Sequence, residues 1–398
     1  MLEPDGDEGV MLPQDALAMN GAIPTTDPFE PALLARIAAR ADAADRGERD
    51  LSDDIAELTW SGALRAVLRP AAGGRALGQP GGDPVALSRA LRALGRASLS
   101  VARLYEGHVN AAKLVALYGD DRTRRHVEAA VGAGALMGVW GAEGDPPLAL
   151  GADGVLSGTK RFASGLGLVR LAVVSIARED GVLLALVGAD DPDRADASGW
   201  RVAGMRATAS GTFDAAGLRP VALLGRPGDY VREPHFEGGT WRYCAAHLGG
   251  AEALAHEVLA RLARSGRADD PHQRDRIARI GMACETARLW IESAARRVED
   301  DPADPEGAAA YALLAREATE RACLEVIDLA ERALGMLAHA ETTPVDRMRR
   351  DLSMFLRQAA PDAKRMRAAT AMAERGTLAE DLGAATTGPE PGSGTRVS

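Results

Sequence analysis

The chain has 398 residues, 46% of them hydrophobic but only 4% aromatic, and its 47 Lys and Arg face 57 Asp and Glu for a formal net charge of −10. No basic stretch is present to neutralise phosphates, which excludes a nucleic-acid role, and no apolar run approaches the roughly 20 residues of a membrane span. The length suffices for two or three packed units, and a core resting on Ala, Leu, Val and Ile favours helices.

In chain order, residues 1–26 are acidic and rich in Pro and Gly, unlike a signal peptide, and are expected to be disordered. Asp27-Pro28-Phe29-Glu30 carries the cap, first-turn Pro and returning Glu of a helix start, with Leu33, Leu34, Ile37 and Ala38 as its apolar face. Helical runs follow over about 53–67, 85–95, 97–118 and 121–132, broken by the Gly/Pro-rich stretch from Pro70 to Asp83. Gly119-Asp120-Asp121 stops one helix and caps the next.

From Met137 the pattern changes to strands: Val155 to Phe162, Val169 to Ile176, Val182 to Val187 and the segment from Trp200 to Leu218. Asp153-Gly154 and Asp180-Gly181 supply turns. After Pro234 long helices return, one bearing the stripe Ile277, Ile280, Cys284, Ala287, Ile291, Ala294 and Val298. Its thiol is expected in the core. Cys244, Cys284 and Cys323 have no paired spacing, so they suit a reducing, cytoplasmic setting with neither disulfides nor a metal site. The resulting domain scheme is 27–136 helical, 137–232 β, 233–384 a helical bundle, and 385–398 a disordered tail.

Short segments then carry a family resemblance. Pro344-Val345-Asp346-Arg347-Met348-Arg349-Arg350-Asp351 resembles the "P-V-E-K-L-M-R-D" segment of the acyl-CoA dehydrogenases. Gly138-Val139-Trp140-Gly141-Ala142-Glu143 stands for "A-Y-C-V-T-E-P", Gly158-Thr159-Lys160-Arg161-Phe162-Ala163-Ser164 for "G-x-K-x-W-I-T-N-G", and Gly204-Met205-Arg206-Ala207-Thr208-Ala209-Ser210 for "G-x-R-x-S-D-T". The resemblance implies an α+β fold with an N-terminal helical domain, a central small β-barrel or sandwich and a C-terminal four-helix bundle. It also implies FAD as cofactor. Ala142 and Glu143 would lie at the pyrimidine edge of the flavin, Phe162 on its ring face and Ser164 at N5. Arg267 would reach the pyrophosphate of a neighbouring subunit's FAD, and Gly335 is what remains of the Gly-rich adenosine segment.

The family's catalytic Glu, counted forward from Arg350-Asp351, falls on Ala359, which cannot take a proton. A second known base location precedes Arg242 and holds Trp241. Asp362, after Pro361, is a first-turn acid and the remaining displaced-base candidate beside Arg242. His247 and His272 carry little weight. Three functions follow. The first is an FAD-dependent oxidoreductase passing hydride to flavin N5 from an acyl-CoA or related small substrate. The second is a flavin monooxygenase or oxidase served by an electron-transfer or reductase partner, with an apolar pocket around Ala359, Ala360 and Trp241. The third is a non-catalytic subunit of an active paralogue. A homodimer or homotetramer is expected in each case.

Overall fold

The computed structural model describes residues 29–358 and 360–383. The two expected disordered ends, the Asp27-Pro28 helix start and position 359 lie outside the described residues.

The N-terminal region contains α1 (Pro31–Asp45), α2 (Ser52–Trp60), α3 (Pro84–Ala97), α4 (Leu99–Tyr118) and α5 (Asp121–Gly132). Helix α1 begins later than the sequence suggests. Glu30 is extended at ψ 141° and makes no side-chain cap bond, while Pro31 takes the first helical turn. The reason is local: a residue before Pro is pushed out of the helical region. Asp83 and Asp120 do cap α3 and α5, accepting from Val85 N at 2.8 Å and Thr123 N at 2.7 Å. The run expected over 53–67 divides at Ser61-Gly62, with a short 3-10 turn over Leu64–Val67.

Nine strands follow among the described residues: β1 (Leu136–Trp140), β2 (Ala149–Leu150), β3 (Leu156–Ser157), β4 (Thr159–Ala163), β5 (Val169–Arg178), β6 (Gly181–Gly188), β7 (Ala195–Asp196), β8 (Gly211–Asp214) and β9 (Ala222–Leu224). They form sheets in the orders β1-β5-β6-β9, β4-β8-β7 and β2-β3. All pairings are antiparallel except β1 with β5. The hairpin of β5 and β6 closes where Arg178 pairs with Gly181.

Two strand expectations are corrected. Val155 to Phe162 is two strands parted by Gly158 at φ 91°, and Trp200 to Leu218 is mostly irregular, with strand only at β8. In that second segment Met205 and Ala209 take left-handed φ values of 56° and 43°. Side chains, not a ladder, satisfy the backbone there: the Met205 carbonyl accepts from the Trp200 indole at 3.0 Å and the Thr208 hydroxyl at 2.8 Å.

The C-terminal region comprises α6 (Trp241–Arg264), α7 (Pro271–Glu299), α8 (Pro305–Leu334), α9 (Pro344–Phe355) and α10 (Pro361–Arg375). Asp270 and Asp304 cap α7 and α8 just ahead of a first-turn Pro. Helix α3 lies across α6, and both helices use Gly where they cross. A Cβ on Gly95 would stand 2.4 Å from the Ala246 carbonyl oxygen, and one on Gly249 would stand 2.2 Å from that of Arg92. Neither backbone can swing aside. Gly249→Ala is therefore expected to cost about 1–3 kcal/mol through overpacking. Gly281→Ala, where an added Cβ meets nothing within 4 Å, is expected to gain up to about 1 kcal/mol from helix propensity. Denaturation midpoints of the two variants should move in opposite directions; a Gly249 variant with an unchanged midpoint would show that the crossing tolerates a methyl.

One continuous core joins the three regions, running through Leu33, Tyr105, Trp140, Phe213, Trp241 and Phe355. The motif from Pro344 to Asp351 is a polar clasp across them. Arg350 binds Asp45 of α1 at 2.6 Å, Asp346 of its own helix at 2.7 Å and the Ala203 carbonyl at 2.5 Å. Arg347 binds Asp42 at 2.5 Å. Asp351, buried, accepts from Met205 N at 2.6 Å, which holds the left-handed turn. Beside it, Gly204 lies so close to Arg350 that a Cβ would meet the Arg350 carbonyl oxygen at 2.2 Å.

Candidate functional site

A cleft of about 720 Å³ opens where α4, the ends of β1, β5 and β6, the segment around Tyr230 to Glu237 and the start of α6 meet. Three consecutive inward positions of α4, Glu106, Asn110 and Lys113, lie on one helical face by their spacing of four and three residues. Gly238–Thr240, in a 3-10 turn, leads directly into α6 and so aims Arg242 at the same space.

A polar network floors the cleft. The Arg103 guanidinium donates to Glu106 at 2.5 Å, and Asn110 Nδ2 donates to the other Glu106 oxygen. Asn110 Oδ1 accepts from Arg242 Nε at 2.6 Å, and Arg242 Nη1 donates to Glu299 Oε1 at 2.9 Å. Lys113 Nζ donates to Glu299 Oε2, while the Trp241 indole N–H reaches Oε1 at 3.3 Å. The Lys113, Arg242 and Glu299 side chains are 2%, 6% and 9% exposed, so these are buried charges.

Burial pulls the Lys113 ammonium down to about 8, with Glu299 opposing and Arg242 adding to the fall. Burial pushes the Glu299 carboxyl up, but Lys113 and Arg242 outweigh it and hold it below the usual carboxylate range. Both groups are charged at neutral pH. His235, also lining the cleft, is pushed down to about 4 by burial and then by the Lys113 charge, so its ring is neutral.

The residues expected at a flavin divide into three places. Ala142, Glu143 and Phe162 line the cleft. Glu143 is committed to a pair: Lys160 Nζ, fully buried, donates to it at 2.6 Å and to the Ser175 hydroxyl at 3.1 Å. Phe162 is 58% exposed and sits at φ 53°, with the Arg161 guanidinium 5.1 Å from its ring and the edge of Trp200 6.4 Å away. An exposed Phe in left-handed backbone is a strained placement that folding alone does not reward. Ser164 stands just behind, in a chain of hydroxyls with Ser210 at 2.9 Å and Thr208 at a further 2.9 Å.

Arg267 and the Gly335 turn are elsewhere. Arg267 borders a depression of about 240 Å³ with Arg261, Arg264, Leu334 and Leu337, and Gly335 ends α8 there at φ 60°. Arg242 is in the cleft, as described. Asp362 is not among the lining residues: it is in the first turn of α10, 84% exposed, bonded to Arg365 at 2.9 Å. His247 is buried edge-on against Phe355 and pushed down to about 3 by burial; His272 is exposed at the start of α7.

The expected apolar pocket around Ala360 and Trp241 is corrected. Trp241 is fully buried with its indole on Glu299, Ala360 is exposed, and the cleft floor is ionic. Lys113, Glu299, Lys160 and His235 were missed as site residues. Lys113 interrupts the run Ala111, Ala112, Leu114, and Glu299 abuts the buried stripe ending at Val298; a lone charge on such a face was the available signal.

Residues 229–356 match the family model described as acyl-CoA dehydrogenase, C-terminal domain. No curated protein matches the chain. Among solved structures, TdsC from Paenibacillus sp. A11-2 with FMN and indole is 20% identical, with 86% of this chain and 96% of that one covered at a TM-score of 0.74. Nitrososynthase from Micromonospora carbonacea var. africana is 20% identical over 88% and 98% of the two chains, TM-score 0.70. Butyryl-CoA dehydrogenase from Megasphaera elsdenii is 18% identical over 86% and 96%, TM-score 0.72. The chain has the acyl-CoA dehydrogenase fold, with helical N- and C-terminal regions around a central set of sheets.

Proposed function

We propose that the chain is a flavin-dependent oxidoreductase of the monooxygenase or oxidase kind, acting on a small organic substrate in the cleft floored by Lys113 and Arg242. The observation that carries this reading is the state of the cleft carboxylates. The position of the family's usual base holds Ala359, and each carboxylate lining the cleft already has a cation: Glu106 with Arg103, Glu143 with Lys160, Glu237 with Lys364. A paired carboxylate is a poor base for a carbon acid, so removal of an α-proton from a thioester has no agent among the described residues.

The residues present fit a flavin ring. Phe162 offers an exposed aromatic face, Ala142 the backbone at a strand end, and Ser164 a hydroxyl already oriented by Ser210. Flavin supplies hydride acceptance and, when reduced, reaction with O₂; the protein supplies placement and shielding from water. Val139, Val182 and Phe236 give the apolar wall, and Tyr230 packs edge-on against Phe236 at 4.9 Å.

FAD is what the family resemblance implies, whereas TdsC is described with FMN. The two share the ring, the ribityl chain and its phosphate and differ in the AMP of FAD, for which Arg267 and Gly335 are the remaining holders. A reductase partner and a cytoplasmic, homo-oligomeric protein complete the reading. In favour of self-association, Met282 and Leu289 on α7 are 70% and 54% exposed. In favour of the compartment, Cys244, Cys284 and Cys323 are all free.

The test loads purified protein with FMN or FAD and then offers two reactions. The expected outcome is a bound-flavin spectrum, no anaerobic bleaching by a panel of acyl-CoAs, and O₂-dependent oxidation of small organic compounds once a flavin reductase and NADH are added. Bleaching by an acyl-CoA would restore the dehydrogenase reading. A protein that retains neither flavin but co-purifies with a paralogue would favour the non-catalytic one.

A further inference from the structure

Charge in the cleft does not balance. Each of the three lining carboxylates has its own cation, as described above, whereas Lys113 and Arg242 share the single carboxylate of Glu299. The shared group is tightly held, with the Trp241 indole as a third donor. One positive charge is therefore left over in a buried network of a protein whose net charge is −10. Uncompensated charge at such burial is costly, and a bound anion removes the cost.

Two groups lining the cleft keep hydrogen-bonding capacity. Lys113 Nζ has three protons and spends one on Glu299. His235 Nδ1 is buried and has no hydrogen-bond partner among the described residues. Of the charges acting on that ring, Lys113 is the strongest, followed by Glu299, Arg242 and the exposed Asp301. Arg242 spends Nε on Asn110 and Nη1 on Glu299, and its Nη2 lies close against Gly239.

We propose that the cleft selects small substrates bearing one carboxylate, received between Lys113 Nζ and the His235 ring. This rests on the reading that the cleft is the substrate site, and it names the substrate class. Apolar Leu114, Leu117 and Val139 leave room beside that pair for an aryl or alkyl body. A neutral amide of the same shape would leave the extra charge unanswered.

The test is calorimetric titration of the full chain, with and without FMN, using benzoate against benzamide and hexanoate against hexanamide. The carboxylates should bind about tenfold or more tightly than the amides, the ratio expected of one charge-assisted hydrogen bond. The preference should vanish in Lys113→Met and persist in Lys113→Arg. For the native chain, carboxylate affinity should be level from about pH 5.5 to 7.5 and fall as Lys113 loses its proton near pH 8; Lys113→Arg should remove that fall. Arg242 still pairs with Glu299 in both variants, and thermal midpoints verify their folding. Amides binding as well as carboxylates, a preference that survives Lys113→Met, or no binding of either series at millimolar concentration would overturn the proposal. Failure of FMN to bind while the carboxylate preference holds would count against the flavin reading alone.

Discussion

Glu299→Leu is expected to destabilise the folded chain by about 3–5 kcal/mol, the largest effect of any single substitution in the site. Glu299 is the only carboxylate within salt-bridge distance of Lys113 or Arg242 among the described residues. Removing it leaves an ammonium and a guanidinium buried side by side with nothing of opposite sign. The Trp241 indole and, through Arg242, Asn110 lose an anchored partner as well. The chain folds in more than one region, so the effect is best read as a shift in the urea midpoint of the C-terminal helices rather than as a single free energy. The double variant Glu299→Leu with Lys113→Met should recover part of the loss, because the two residues are coupled through one contact. A midpoint within experimental error of the native chain would mean that water reaches these charges and the network is not a buried one.

The second large effect is a pH dependence set by Asp351. Burial pushes this carboxyl up to about 6, against the pull of Arg347 and of the Met205 N–H. An unfolded Asp titrates near 3.9. Between these values the native state binds the proton more tightly than the unfolded state, so this contribution is fully present below about pH 4. It is lost as pH rises through about 6. Asp351→Asn keeps an oxygen acceptor for Met205 N and has no charge to desolvate. The variant should match the native chain near pH 4 and exceed it at pH 7.5 by at most about 3 kcal/mol. Thermal midpoints measured across pH 4 to 8 check this directly. Lower stability of Asp351→Asn at every pH would show that pairing with Arg347, at 3.7 Å, outweighs burial.

Residues far apart in the chain meet at Asp351. Its carboxylate holds the turn that carries Thr208 and Ser210, and through their hydroxyls Ser164. The same turn follows Trp200, whose ring edge faces Phe162. A charged acceptor makes the stronger bond to a backbone N–H, so the clasp favours one placement of this wall at the expense of stability near neutral pH.

Much of the architecture was legible in the sequence because its signals are local. The stop and cap at Gly119-Asp120, the periodic stripe from Ile280 to Val298, and the hairpin at Asp180-Gly181 are each decided within a few residues. The motif order extended this to the fold. Local reading failed at Trp200 to Leu218, where β-prone residues form turns because Asp351, 146 positions after Met205, takes the backbone donor that a ladder would have used.

The site shows the same division. By itself the sequence determined that Ala stands at position 359 and that Phe162 and Ser164 place an aromatic ring and a hydroxyl two residues apart in one segment. Only the tertiary structure decided that the cleft floor is ionic. Lys113 meets Glu299 across 186 residues and Arg242 meets Asn110 across 132. A buried charge is tolerable only beside its partner, and the identity of that partner is a property of the packed helices rather than of either local segment.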